Sequence, residues 1–341
     1  MERIAMIEGG ALTRDQEGRS ISARRIGRVM IESSGRLSGV YVTIFLIVLF
    51  TVLIPENFAT SVNARIIISS EAVAVILALA LVIALSADIL DVSVAGTMGM
   101  AVVFVGWLQQ QGVNPVWSVV LTLMMGLVVG AINALNIIVL KVPALIATLG
   151  MISVLTAIGY WLTDGIGVVS GLSDGFKRAG QAQPFSIPAP VFYMLGVAAI
   201  VHYVLEYMPF GRKIRAVGDN RDAARLAGLR VEWLTLKVLL ASSGIAAFAG
   251  VVYAARLGTA PLDAGDPYLL TTFAAAFLGS TQIRPGRFNV IGTIVAVYLL
   301  AIGINGVQFL YPNSSVWLKG LFSGCALIVA VALSVRRRST S

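Results

Sequence analysis

The sequence contains few charged residues and few chemically reactive side chains. Of its 341 residues, 12% are charged, one is a histidine and one, Cys325, is a cysteine. A single cysteine excludes an internal disulfide, and so small a supply of histidine and cysteine argues against metal clusters and Cys–His catalysis. The sequence contains no Gly-Lys pair and therefore no G-x-x-x-x-G-K-[ST] phosphate-binding loop. We expect no catalytic site, metal or cofactor in this chain.

Apolar residues make up 57% of the chain, and the mean hydropathy is +0.88. These values are typical of integral membrane proteins. A spanning helix needs roughly 20 mostly apolar residues, so the apolar runs predict an all-α polytopic membrane protein with about ten transmembrane helices. The predicted spans are approximately 37–54, 66–86, 89–108, 115–140, 143–163, 191–208, 234–254, 267–282, 288–311 and 316–335. The second and third are barely separated, and the eighth is short.

The net charge of +8 comes from basic residues in the gaps between these runs. If the N-terminus is cytoplasmic, 20 of the 25 Lys and Arg lie on the cytoplasmic face, as the positive-inside rule requires. We therefore predict a cytoplasmic N-terminal tail (1–36), a transmembrane domain (37–335) and a basic cytoplasmic tail (336–341). Membrane orientation explains the basic residues, so we expect no nucleic-acid partner.

Two of the predicted spans share an internal pattern. The fourth has Gly126 and Gly130 four residues apart, the ninth has Gly292 and Ala296, and each then has Asn within its apolar run. An offset of five spans predicts that spans 2–5 and 7–10 form an inverted repeat, an arrangement found in transporters. Ordinary helix packing through small residues is the alternative explanation.

Several polar residues interrupt the apolar runs. A buried amide is costly without hydrogen-bond partners, and a carboxylate inside the membrane is costlier unless water or partners reach it. Such residues contact other helices or line a polar path, and the sequence leaves both interpretations open. For Asp88 and Asp91, a short turn between the second and third spans is a further interpretation. The candidate path residues are Asp91, Ser93, Asn133, Asn136 and Asn305.

The stretch FGRKIRAVGDNRDAARLAGLR, residues 210–230, predicts a short helix within a basic cytoplasmic loop (209–233). Asp219 or Asn220 can cap its first N–H groups, and Gly228 can end it. A helix of about two turns is unstable in water unless it docks. Its apolar side is small, which favours docking against protein over insertion into anionic lipid. That side consists of Ala223, Ala224, Leu226 and Ala227.

The run GRKIRAVGDNRDAARLAGLRV resembles the cytoplasmic segment of permease subunits of bacterial sugar ABC importers, the ribose-permease-like family. Three further runs have counterparts in the same order, and the resemblance covers residues from about 40 to 335. The further runs are VPALIATLGMI at 142–152, LDAGDPYLLTTFAAAFLGST at 262–281 and GTIVAVYLLAIGINGVQFL at 292–310.

This resemblance implies a permease subunit in the bacterial inner membrane that translocates a sugar or sugar-like solute. The implied partners are a second permease copy (homodimer or heterodimer), two ABC ATPase subunits or one double ATPase that bind ATP and Mg, a periplasmic solute-binding protein, and membrane lipid. The short helix would be the coupling helix, with Ala224 in the ATPase cleft. The implied ATPase-coupling residues are Asn220, Arg221, Ala223, Ala224, Arg225, Leu226, Ala227 and Gly228.

The chain departs from the family pattern at several places. Asp88 and Ile89 replace a common Gly-Gly pair, so the sequence does not decide whether the helix breaks at that point. Ser280 replaces the second Gly of a Gly-Gly-Thr run. Alternative functions are ABC import of amino acids or nucleosides, an ion-coupled secondary carrier that uses Asp88, Asp91 or His202, and a membrane scaffold or receptor.

Overall fold

The computed structural model describes residues 37–168, 170–311 and 315–338, with side chains of the last segment described at 317 and 320–332. The predicted tail 1–36 and residues 339–341 lie outside this range. The described residues form thirteen α-helices. They are α1 (Ser38–Leu53), α2 (Ser61–Leu85), α3 (Ser93–Gln110), α4 (Pro115–Ile138), α5 (Ala144–Leu162), α6 (Asp174–Gln181), α7 (Ala189–Glu206), α8 (Pro209–Asp219), α9 (Arg221–Leu226), α10 (Val231–Leu257), α11 (Asp266–Ser280), α12 (Val290–Leu310) and α13 (Ser315–Arg338).

A helix is present at each of the ten predicted spans, but only six helices in the described range are long and apolar enough to cross a membrane: α2, α4, α5, α7, α10 and α12. The predicted count of about ten spans is therefore not supported. With 16 and 15 residues, α1 and α11 are shorter than the roughly 20 residues that a span needs. The two glutamines that end α3 lower its hydropathy, and the apolar run described in α13 is Gly320–Ala332.

The core is built around α2 and α10. Every residue from Ala72 to Leu85 is buried, as expected for a helix that is apolar on all sides. The longer α10 packs against α2, α3, α4 and α6. A Cβ atom on Gly130 of α4 would overlap the backbone of Leu239 in α10. The small residues predicted in α4 thus allow close helix packing, which is a main source of stability between helices in lipid.

The two halves of the bundle pack in a similar way. In the first half α3 contacts α4 and α5, and in the second half α11 contacts α12 and α13. Across the halves α10 packs on α3 and α4, while α2 packs on α11 and α12. The pattern of helix contacts is therefore similar in the two halves, at an offset of five predicted spans.

The connecting segments collect at two opposite ends of the bundle. The end that we call the basic end carries α8, α9, the turn at 86–92 and the loop at 281–289, and residues of α8 and both segments line one small cavity. At the far end, Val168 and Ala260 form an isolated antiparallel bridge, and Tyr160 donates a hydrogen bond to Asp263 at 3.1 Å.

Candidate functional site

The short helix α9 at the basic end is held by local caps. The Asn220 side chain accepts a hydrogen bond from the backbone N–H of Ala223 at 2.9 Å, so Asn220, one of the two residues predicted, is the N-cap. Gly228 follows the helix with a φ of 82°, a backbone conformation that glycine adopts without steric cost. Sequence analysis missed α8, the helix before it, which begins with Pro209 at a position where proline is favoured.

The residues of α9 differ in their exposure, and Ala224 is the buried one. This residue is buried and belongs to the main apolar core of its own chain. Leu226, by contrast, is 90% exposed, and Asn220, Arg221, Ala223, Arg225, Ala227 and Gly228 are exposed as well. Packing against the chain's own helices already covers Ala224, so this side chain anchors α9 within the chain, while the coupling role of the helix stays a prediction.

Ion pairs fasten this region to the bundle. Glu206, the last residue of α7, accepts a hydrogen bond from Arg215 of α8 at 2.6 Å and another from Arg284 in the segment between α11 and α12. The Glu206 side chain is only 12% exposed, so both guanidinium groups pair with a nearly buried carboxylate. A second pair joins Arg225 of α9 to Glu232 of α10. Helix α8 is thus tied to the end of α7, and α9 to the start of α10.

Asp88 marks an exposed turn between α2 and α3. The residue has a φ of 56°, the left-handed conformation that glycine adopts most easily, although Asp tolerates it better than most residues. The helix break is present here without a Gly-Gly pair. Of the interpretations that the sequence left open, the turn applies to Asp88.

Asp91, only three residues later, is fully buried in a polar network. One carboxylate oxygen accepts hydrogen bonds from the backbone N–H and the hydroxyl of Ser93, at 3.2 and 2.5 Å. The other oxygen accepts one from the Ser242 hydroxyl of α10 at 2.9 Å. Asn133 of α4 donates to the Ser93 hydroxyl at 2.8 Å. The network joins α3, α4 and α10 around the bend, as buried polar groups require.

Thr148 and Asn133 are two further polar residues at this bend. The Thr148 hydroxyl of α5 accepts a hydrogen bond from the backbone N–H of Val92 at 3.2 Å, which satisfies a donor before α3 begins. The buried side-chain oxygen of Asn133 has no hydrogen-bond partner among the described residues. Asn136, less than one turn further along α4, is half-buried.

A polar cavity lies toward the far end, between α2, α11 and α12. Its volume is about 210 Å³. Asn305 lines it and accepts a hydrogen bond from Asn63 of α2 at 3.1 Å, so this amide both links two helices and faces the cavity. The other polar lining residues are Ser70, Glu71, Tyr268, Thr271 and Gln308. Glu71 was missed by the sequence analysis, although an acidic residue within the second apolar run was a visible signal.

The remaining candidates do not form a reactive centre. His202 is half-buried with its ring 6.1 Å from that of Tyr207, and the nearby Glu206 is occupied by Arg215 and Arg284. The part of the chain that the structure describes contains no group of three His, Cys, Asp or Glu side chains that could hold a metal ion.

Comparison with known proteins adds independent information. A family model described as "Branched-chain amino acid transport system / permease component" matches residues 63–331. The autoinducer 2 import system permease protein LsrC of Salmonella typhimurium is 30% identical over 272 residues, which cover 80% of this chain and 78% of the relative.

Two other relatives align over nearly their whole length. The ribose import permease protein RbsC of Bacillus subtilis is 27% identical over 300 residues, covering 88% of this chain and 92% of the relative. RbsC of Haemophilus influenzae is 28% identical over 314 residues, covering 90% and 94%. No solved structure matches the chain.

Proposed function

The chain belongs to this family of ABC-importer permeases, and on that premise we propose that it translocates a sugar or sugar-like solute across the bacterial inner membrane, with energy from ATP hydrolysed on partner subunits. ATP and Mg would bind the partner ATPase, because the sequence contains no phosphate-binding loop of its own. The chain itself would have no catalytic role.

The observation that carries the proposal is the geometry of α9. Six residues cannot form a stable helix alone, yet α9 is capped, tied to α10 through Arg225 and anchored through the buried Ala224. Leu226 is highly exposed on this firmly held helix, and burying a leucine side chain in a partner's pocket would contribute about 1.5–3 kcal/mol. We propose that this face of α9 docks on an ABC ATPase, one of two subunits or half of a double ATPase.

The proposed solute path includes the polar cavity between α2, α11 and α12. Its hydroxyl, amide and carboxylate groups suit a neutral polyhydroxy solute, which needs many hydrogen-bond partners and few fixed charges. The names of the ribose and autoinducer 2 permeases favour this solute class, whereas the family description names branched-chain amino acids. An amino acid importer is therefore the second candidate.

The five predicted path residues divide between two roles in this proposal. Asn305 faces the cavity, and Asn136 is partly accessible on α4. Asp91, Ser93 and Asn133 belong to the closed network at the bend, where we propose that they fix the start of α3. Asp91 gives little support to an ion-coupled carrier, since both of its carboxylate oxygens already accept hydrogen bonds from serine hydroxyl groups.

We further propose the orientation and symmetry of the complex. Basic residues concentrate at the end that carries α8 and α9, which favours a cytoplasmic location for that end and for both termini. The paired contacts of α2 to α5 and α10 to α13 support an inverted repeat. A second permease copy would complete the path, and a periplasmic binding protein would deliver the solute at the far end.

Transport in reconstituted proteoliposomes tests this function. The complex is purified with its ATPase, reconstituted with the binding protein in the external buffer, and assayed with radiolabelled ribose and leucine. We expect uptake that needs internal ATP, persists when ion gradients are collapsed, and is competed by sugars. Uptake that disappears with the ion gradient and continues without ATP would establish the secondary carrier instead. Uptake competed only by leucine would replace the sugar with an amino acid.

A further inference from the structure

We infer that a cleft between α8 and the first two turns of α10 binds the headgroup of an anionic phospholipid. The cleft has a volume of about 510 Å³, which is ample for a phosphate-bearing headgroup. Lys213 of α8 lines one side, and Arg230, Trp233 and Lys237 line the other. We call it the basic cleft.

The three cations of the basic cleft have no anionic partner within it. Its lining includes no acidic residue, and none of the ion pairs between described residues involves Lys213, Arg230 or Lys237. The nearest carboxylate along α10, that of Glu232, pairs with Arg225 on α9 instead. Like charges that share a concave surface repel one another, and a bound anion relieves that repulsion.

The position of the basic cleft relative to the membrane points to lipid as the occupant. With 27 residues, α10 is about 40 Å long, whereas the hydrocarbon layer is about 30 Å thick. The run from Val238 to Ala255 contains no charged residue, so Lys237 lies at the boundary of the hydrocarbon. Trp233, one turn before it, is 57% exposed and sits where Trp is enriched, at the level of the headgroups.

The basic cleft adjoins the proposed ATPase contact, because Gly228 at the end of α9 also lines it, but its charged and aromatic side chains suit a lipid. Trp233 and Lys237 fall on one face of α10, four residues apart, and Arg230 is the residue immediately before that helix. A phospholipid can place its phosphate among the three cations and its glycerol and acyl chains against the Trp233 ring, a division of contacts that an acidic protein loop would not use. A bound lipid would join α8 to α10 and so steady the loop that carries α9.

Native mass spectrometry of the full-length permease tests the inference. The protein is released from detergent micelles doped with phosphatidylglycerol or with phosphatidylcholine, and the lipid retained is compared between Lys213→Gln/Lys237→Gln and the matched control Lys141→Gln/Arg212→Gln. Both pairs remove two exposed cations from the basic end. We expect the wild type and the control to retain phosphatidylglycerol over phosphatidylcholine, and the cleft variant to retain it on the order of tenfold less.

Four results would overturn the inference. They are equal retention by the cleft variant and the control, equal retention of both lipids by the wild type, displacement of phosphatidylglycerol by an equal concentration of soluble glycerol 3-phosphate, and loss of ATPase binding by the cleft variant with lipid retention unchanged. The third result would assign the cleft to a soluble anion, and the fourth to acidic side chains of a protein partner. All four leave the uptake test of the transport function unaffected.

Discussion

Asp88 and Asp91 are only three residues apart, yet they have opposite surroundings. Asp88 is exposed at a left-handed turn, whereas Asp91 is fully buried and accepts three hydrogen bonds from Ser93 and Ser242. Burial without partners would be very costly for a carboxylate, so the hydroxyl groups are what allow Asp91 to lie there. Position 88 therefore requires a residue that tolerates a positive φ, whereas position 91 requires a side chain that accepts hydrogen bonds from these hydroxyl groups.

Substitution of Asp88 tests the conformational requirement. We expect Asp88→Gly to raise the free energy of unfolding by up to about 1 kcal/mol, because glycine adopts a positive φ without steric cost. Asp88→Val should lower it by about 1–2 kcal/mol, since a β-branched residue is strained there. Thermal denaturation of the purified permease in detergent measures both. The two variants remove the same charge, so equal midpoints would contradict the assigned turn.

At the scale of the element, α9 shows what local sequence can and cannot predict. The cap at Asn220 and the end at Gly228 were predictable because both signals act within a few residues. The burial of the Ala224 side chain was not predictable, because it depends on α10 and on α8, a helix that the sequence did not indicate. The basic stretch before α9 was recognised only as a charged loop, since its apolar positions are few and widely spaced.

Opposite effects are expected for two substitutions on α9. Leu226→Glu should leave the fold intact and weaken binding of the ATPase roughly 30-fold, as expected for the loss of an interface anchor worth about 2 kcal/mol. Ala224→Glu should instead lower the thermal stability of the permease itself, by burying an unpaired charge.

Co-purification of the ATPase and thermal denaturation, measured on the same samples, separate the two effects. Leu140→Glu serves as a matched control for the first variant, because Leu140 is also well exposed, at the turn after α4. Normal ATPase binding by Leu226→Glu, or equal loss by Leu140→Glu, would contradict the docking face.

At the scale of the whole molecule, the positions of the ten predicted helices were readable from hydropathy, but the number of full spans was not. Hydropathy windows cannot show where a helix ends, and α1 and α11 end after 16 and 15 residues. The polar cavity was also beyond prediction, because Glu71 on α2 lies far along the chain from Tyr268 on α11 and Asn305 on α12. Besides Asn305, Glu71 could have been recognised from the sequence as a candidate, since it is an acidic residue within an otherwise apolar run.

We propose that α9 faces the cytosol and that Leu226 contacts an ATPase. Cys325 is the only cysteine, so Cys325→Ser combined with Leu226→Cys gives a single thiol at the docking face. The measurement is labelling of this thiol by a membrane-impermeant maleimide, in right-side-out and inverted vesicles, with and without the ATPase. We expect labelling only in inverted vesicles and protection by the ATPase. Labelling in right-side-out vesicles, or labelling of inverted vesicles that the ATPase leaves unchanged, would contradict this proposal.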